Sequence, residues 1–99
     1  MTLRPFLPFD IAAARALWQA TPGVGLSTAD EPAALESFLN RNPGTSFVAE
    51  SDGRITGTIL VGHDGRRGLI HHLAVAADCR RTGLGRRLVE AGLAALHRA

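Results

Sequence analysis

The chain has 99 residues, enough for one small domain and too few for two separate cores. Hydrophobic residues make up 45% and charged residues 20%, which suits a folded globule, and no apolar run is long enough to cross a membrane. The net charge of +2 is carried on the basic side by arginine alone, and the single cysteine, Cys79, excludes an internal disulfide. The start, Met1-Thr2-Leu3-Arg4-Pro5-Phe6, lacks the order of a signal peptide, so a cytoplasmic protein is expected.

Thr2–Pro5 reads as a short extended segment, followed by Asp10 as the N-cap of a first helix. Ile11, Ala14, Leu17 and Trp18 fall at helical spacing and mark its buried face, ending near Ala20. Pro22–Ser27 is a loop by composition. Thr28 or Asp30 is expected to cap a second helix, with Pro32 in its first turn and Leu35, Phe38 and Leu39 as its stripe. Asn42-Pro43-Gly44 stops it.

The period then changes to two. Ser46–Glu50, Arg54–Gly62 and Gly68–Val75 are predicted strands, joined by hairpin turns at Asp52-Gly53 and Asp64-Gly65. From Gly83 the helical period returns, with Leu84, Leu88, Ala91 and Ala95 on one stripe and Val89, Leu93 and Leu96 beside it. The predicted order is β-α-α-β-β-β-α: an α+β fold in which helices pack an antiparallel meander, all within one domain over 1–99.

Arg80-Arg81-Thr82-Gly83-Leu84-Gly85 is the segment that carries chemistry. It links a strand to a helix, and a helix N-terminus offers unpaired amides and the positive end of a dipole. Phosphate groups meet both demands. Gly83 and Gly85 allow a pyrophosphate to approach backbone, and Arg80 and Arg81 add charge at the rim. A P-loop is excluded because the chain has no lysine, and the dinucleotide fingerprint because Leu88 stands where a third glycine belongs. Arg66-Arg67 reads as a solvated surface. A nucleic-acid interface has little support, since no aromatic residues alternate with the arginines.

Arg80-Arg81-Thr82-Gly83-Leu84-Gly85 resembles the acetyl-CoA motif of the GCN5-related N-acetyltransferases: Arg or Gln, two residues, Gly, one residue, Gly or Ala. Leu73-Ala74-Val75, Arg86-Arg87-Leu88-Val89 and Leu3-Arg4-Pro5 are also similar to that family, and so is the element order, over nearly the whole chain. The resemblance implies that amides of Arg81, Thr82, Gly83, Leu84 and Gly85 hold the pyrophosphate of acetyl-CoA, with Arg80 and Arg86 flanking it. It implies that Leu73, Ala74 and Val75 hold the pantetheine arm through backbone. The acetyl group would pass directly to an amine through a tetrahedral intermediate, its oxyanion stabilised by a donor near the amide of Leu73.

The family pattern continues with a strand, a fourth helix and a final strand pair, and often with a tyrosine that protonates the thiolate. This sequence has no tyrosine and stops at Ala99, so it is expected to be C-terminally truncated relative to the family. An open sheet edge would then favour a homodimer. The alternative reading is a non-catalytic CoA-binding or self-associating remnant.

His71 and His72 follow one another on the last strand and so are expected on opposite faces. His71 stands two residues before Leu73-Ala74-Val75, where the related arylalkylamine acetyltransferases carry a histidine, and is the first candidate for the base that deprotonates the amine. Glu50 is the second, acting through water. Trp18 is expected in the core, while the Pro22–Ser27 loop beside it lies where the family shapes its acceptor pocket. No His/Cys/Asp/Glu set has metal-ligand spacing, and Cys79 has no base partner. The expected partners are acetyl-CoA and a small-molecule or peptide amine, with no metal, nucleic acid or membrane.

Overall fold

The period-two segments pair in chain order into one four-stranded antiparallel sheet. The structure, a computed structural model, describes residues 1–98; Ala99 lies outside the described residues. The strands are β1 (Thr2–Pro5), β2 (Phe47–Ser51), β3 (Arg54–His63) and β4 (Gly68–Val75). The helices are α1 (Ile11–Gln19), α2 (Pro32–Arg41) and α3 (Leu84–Arg98), with 3-10 turns at Pro8–Asp10, Thr28–Asp30 and Ala77–Cys79. The predicted order is the observed one.

Alternation along the strands divides the core. Val48, Leu60 and Ala74 face α1 and α2, where they meet Phe6, Ile11, Ala14, Trp18, Leu35 and Leu39. Ala49, Ile59 and Val61 face α3 and pack on Leu84 and Leu88. Central β3 is therefore buried continuously from Thr56 to Gly62. Leu88 is fully buried, and removing such a side chain from water contributes about 2 kcal/mol. Along α3 it is Gly92, not Ala91, that completes the buried stripe. A Cβ at Gly92 would stand 2.7 Å from Val61 Cγ2, so the missing side chain is what lets the helix lie so close to the sheet.

Three local expectations are corrected. Asp10 stands at the N-cap of α1, as expected, but its carboxylate makes no bond to that helix. It accepts from the amide of Leu7 at 2.9 Å and from both terminal nitrogens of Arg4 at 2.8 Å. Neither Thr28 nor Asp30 caps α2: Glu31 holds that position without a side-chain bond, and Pro32 in the first turn removes one orphan amide. Asp30 instead accepts from the amide of Ser27 at 3.0 Å, closing its own 3-10 turn. The Asp52-Gly53 turn is as expected, with both φ values positive (52° and 77°). The second turn is wider, spanning the four residues between β3 and β4. There the Asp64 carboxylate accepts from the amides of Arg67 and Arg66, which hold it below its ordinary pKa.

The main irregularity lies in β4. Thr58 pairs with Ala74 and Leu60 with His71, so His72 and Leu73 together oppose Ile59. This is a β-bulge, and His72 takes it up at φ +48°.

Filling the gap under α3 tests the packing. Gly92→Leu is expected to destabilise the domain by about 1–3 kcal/mol through overpacking against Val61, read as a lower urea midpoint at unchanged slope.

Candidate functional site

The loop after β4 is built to leave amides unpaired. Arg81 (φ +63°) and Gly83 (φ +81°) both take the left-handed conformation, which interrupts hydrogen bonding on either side of Thr82. The first bond of α3 is donated by the amide of Arg87 to the carbonyl of Gly83 at 3.1 Å. Among the described residues, the amides of Arg81, Thr82, Gly83, Leu84, Gly85 and Arg86 have no protein acceptor. Such a run of amides at a helix start forms a concave anion site. A Cβ at Gly83 would meet nothing within 4 Å, so the space above it is open. The residues present therefore fit a pyrophosphate.

The backbone beneath the loop is fixed by polar contacts. Thr82 Oγ1 donates to the carbonyl of Cys79 at 2.7 Å, and the amide of Ala76 donates to the carbonyl of Thr56 at 2.8 Å. Arg54, at the start of β3, grips Asp78 with two bonds of 2.7 and 2.8 Å. The Arg54 guanidinium holds the Asp78 carboxyl down to about 2, and Asp78 raises the arginine in return. Arg80 Nε donates to the carbonyl of Val75 at 3.2 Å, while Arg86 makes an exposed contact of 3.7 Å with Glu90. Among the described residues Arg81 and Arg87 have no acidic partner, so their charge serves the loop's surroundings.

Among the described residues β4 pairs on one side only, with β3. Ala76 turns its amide toward β3, so by strand alternation Ala74 does the same and Leu73 and Val75 turn theirs outward. The contact of Arg80 with the Val75 carbonyl agrees with that direction. Ala74 is buried, whereas Leu69, Ile70 and Leu73 along this strand are 41%, 45% and 43% exposed. An added extended chain would find backbone groups here.

A cavity of about 290 Å³ opens between this strand and the helices. Leu35, Phe38 and Leu60 supply its apolar walls; Ser27 and Asp30 come from the loop side, and His71 and His72 from β4. The expectation that the two histidines point to opposite faces is corrected, because the bulge adds one residue to the alternation and returns both to the same cavity. His71 is exposed and without a protein partner among the described residues. His72 is the engaged one. Its Nε2 lies 2.7 Å from Asp30 Oδ1, and its ring sits 4.6 Å from the Trp18 ring. Trp18 is fully buried, as expected, and donates its indole N–H to Thr58 Oγ1 at 2.8 Å. Thr58 in turn donates to the carbonyl of His72 at 2.9 Å.

Glu50 is not brought to the cavity. It sits at the β1 side of the sheet, where its carboxylate accepts from Arg4 at 3.3 and 3.4 Å. Arg4, held by Asp10 first and Glu50 second, is kept above its ordinary pKa. Asp30 is the site residue that sequence reasoning placed elsewhere. Its partner is 42 positions away, and no local signal joins the two. No group of three or more His, Cys, Asp or Glu side chains converges among the described residues, and no described helix is long and apolar enough to cross a membrane.

A family model described as the acetyltransferase (GNAT) family matches residues 11–99. The chain is 33% identical over 89 residues to an acetyltransferase of Pectobacterium atrosepticum, and 32% identical over 93 residues to one of Photorhabdus laumondii. Each match covers 90% of this chain and 62% of the relative, so the chain spans under two thirds of their length. Among solved structures, Ard1 from Thermoplasma volcanium superposes at a TM-score of 0.80 and 24% identity, over 98% of this chain and 64% of that one. The diaminobutyrate acetyltransferase of Paenibacillus lautus, solved with its substrate and coenzyme A, superposes at 0.78 and 22%, over 93% and 55%. At these identities the superpositions speak for the fold.

The Arg54–Asp78 pair has a pH signature. A carboxyl depressed to about 2 adds stability that is complete above its ordinary value of 3.8 and fades as pH falls toward 2. The stability difference between the wild type and Asp78→Asn is expected to stay constant from neutrality to about pH 5. It should close below that, as urea titrations at stepped pH would record; the pair is exposed, so added salt should shrink the difference.

Proposed function

The chain belongs to the GNAT family of acetyltransferases, and on that premise we propose that it uses acetyl-CoA to acetylate an amine. The observation that carries the reading is the run of unpaired amides from Arg81 to Arg86 at the start of α3. In this proposal the amides of Arg81, Thr82, Gly83, Leu84 and Gly85 bind the pyrophosphate, with Arg80 and Arg86 at its flanks. Leu73, Ala74 and Val75 form the strand against which the pantetheine arm lies, the outward groups of Leu73 and Val75 pairing with it as an added strand would. Such an arm would bring the thioester toward the bulge and the cavity beyond it.

The amine enters through that cavity. Its nitrogen attacks the thioester carbonyl, the oxyanion is met by a donor near the amide of Leu73, and the thiolate leaves. His71 and His72 are the two imidazoles on the cavity wall, whereas Glu50 is committed to Arg4. The reaction and its location in the cytoplasm are those of the proposal, as is the acceptor, a small-molecule or peptide amine. Two of the solved neighbours bear names that span this range, one a diaminobutyrate acetyltransferase and one a ribosomal-protein-S18-alanine N-acetyltransferase from Escherichia coli. The free edge of β4, with Leu69, Ile70 and Leu73 exposed, supports self-association as the alternative role.

Titration calorimetry with CoA and acetyl-CoA, with the solution mass measured on the same sample, tests the reading. Wild type is expected to bind both, and Gly83→Val to lose at least ten-fold in affinity. Its side chain would fill the open space over the amides and strain a backbone at φ +81°. Gly85→Ala is expected to fold normally, since its Cβ would sit 3.9 Å from Val75 Cγ2 in ordinary contact. Undiminished CoA affinity in a folded Gly83→Val variant would remove the loop from the mechanism.

A further inference from the structure

We infer that Asp30 and His72 form the proton-accepting pair of the amine site, with His72 taking the proton from the ammonium group and Asp30 positioning it; this rests on the acetyl-transfer reading above. Nothing in the strand pattern requires a histidine at this place. A residue at φ +48° in a bulge is where glycine belongs, and a residue carrying a side chain is strained there. The strain is held by three contacts that converge on His72: the Asp30 carboxylate, the Trp18 ring and the hydroxyl of Thr58 on its carbonyl.

The tautomer follows from the contact. Asp30 is an acceptor when ionised, so His72 donates Nε2–H to it and leaves the lone pair on Nδ1. Among the described residues no protein group bonds Nδ1. The His72 side chain is 17% exposed and the Asp30 side chain 7%, so solvent reaches the pair through the cavity mouth. The carboxylate also draws a cation into the apolar walls of Leu35, Phe38 and Leu60. Of the residues lining this cavity, the titratable ones are Asp30, His71 and His72, and Trp18 and Thr58 behind the ring are neutral.

The step balances as follows. R–NH3+ gives one proton to His72 Nδ1, and Asp30 stabilises the imidazolium. The free amine nitrogen forms a C–N bond to the thioester carbonyl. Collapse of the tetrahedral intermediate breaks the C–S bond, and the departing thiolate takes the second proton shed by nitrogen. His72 returns its proton to water.

Two-bond proton–nitrogen NMR of the 15N-labelled chain, with benzylamine as the probe, tests the pair without acetyl-CoA. His72 is expected as the Nε2–H tautomer, with its ring resonances moving on benzylamine addition; an Nδ1–H tautomer, or no response at His72, overturns the inference. In acetyl-transfer assays, His72→Gln is expected to lower kcat about 10²-fold while the acetyl-CoA Kd stays within two-fold. Asp30→Asn should lower kcat while the acetyl-CoA Kd stays within two-fold, because the imidazolium loses its counter-charge. Loss of transfer in His71→Ala with His72→Gln unaffected overturns the assignment. If His72→Gln fails to fold, the wild-type NMR result decides. A benzylamine response at His72 without any acetyl transfer supports the amine site and overturns the acetyl-transfer reading, so the two failures stay separate.

Discussion

The extra residue in β4 organises the rest of the molecule's chemistry. A regular strand would send His71 and His72 to opposite faces and continue with straight pairing to β3. With His72 and Leu73 both facing Ile59, the alternation resets: both imidazoles line one cavity, Ala74 stays in the core under α1, and Leu73 and Val75 turn their backbone groups to the open edge. The bulge is clamped by groups from three other elements. Asp30 comes from the segment before α2, Trp18 from α1 and Thr58 from β3, so three elements meet at the left-handed His72.

The same strand runs into the amide-rich loop at its other end, and there the device is different. Arg81 and Gly83 break the local hydrogen-bond pattern by their positive φ values, and α3 supplies the dipole. Rigidity comes from below, through Arg54 on Asp78, Thr82 on the Cys79 carbonyl and the Ala76 amide on Thr56. Unpaired amides that are held in place lose little entropy on meeting a phosphate, which is what distinguishes a built site from a loose loop. The bulge and the loop are joined by Leu73, Ala74 and Val75, a short extended link with outward backbone groups. A ligand with an anionic head and an extended arm matches that sequence of features from one end to the other.

Sequence reasoning reached most of this architecture because the signals were local. Asp52-Gly53 specifies a tight turn by conformation alone, Leu84 and Leu88 mark a helix face by spacing, and Gly83 before a helix implies a start with unpaired amides. The errors came where a polar side chain had a choice of partner. Asp10 and Asp30 both look like helix caps, since a short carboxylate before an apolar stripe serves that purpose in many chains. Each instead turned to a cationic or imidazole group brought by the fold, Arg4 in one case and His72 in the other. Both are buried, and a buried carboxylate gains more from a charge-assisted bond than from an amide it could meet at the surface.

The sequence by itself determined the element order, the antiparallel meander, the apolar stripes of the helices and the position of the amide-rich loop. Each of these depends on residues within a few positions of one another. Only the tertiary structure decided which histidine is held, where Asp30 spends its carboxylate and that Glu50 belongs to Arg4. A one-residue bulge shifts every side chain beyond it to the other face, and periodicity within a single strand carries no record of how its neighbour is registered.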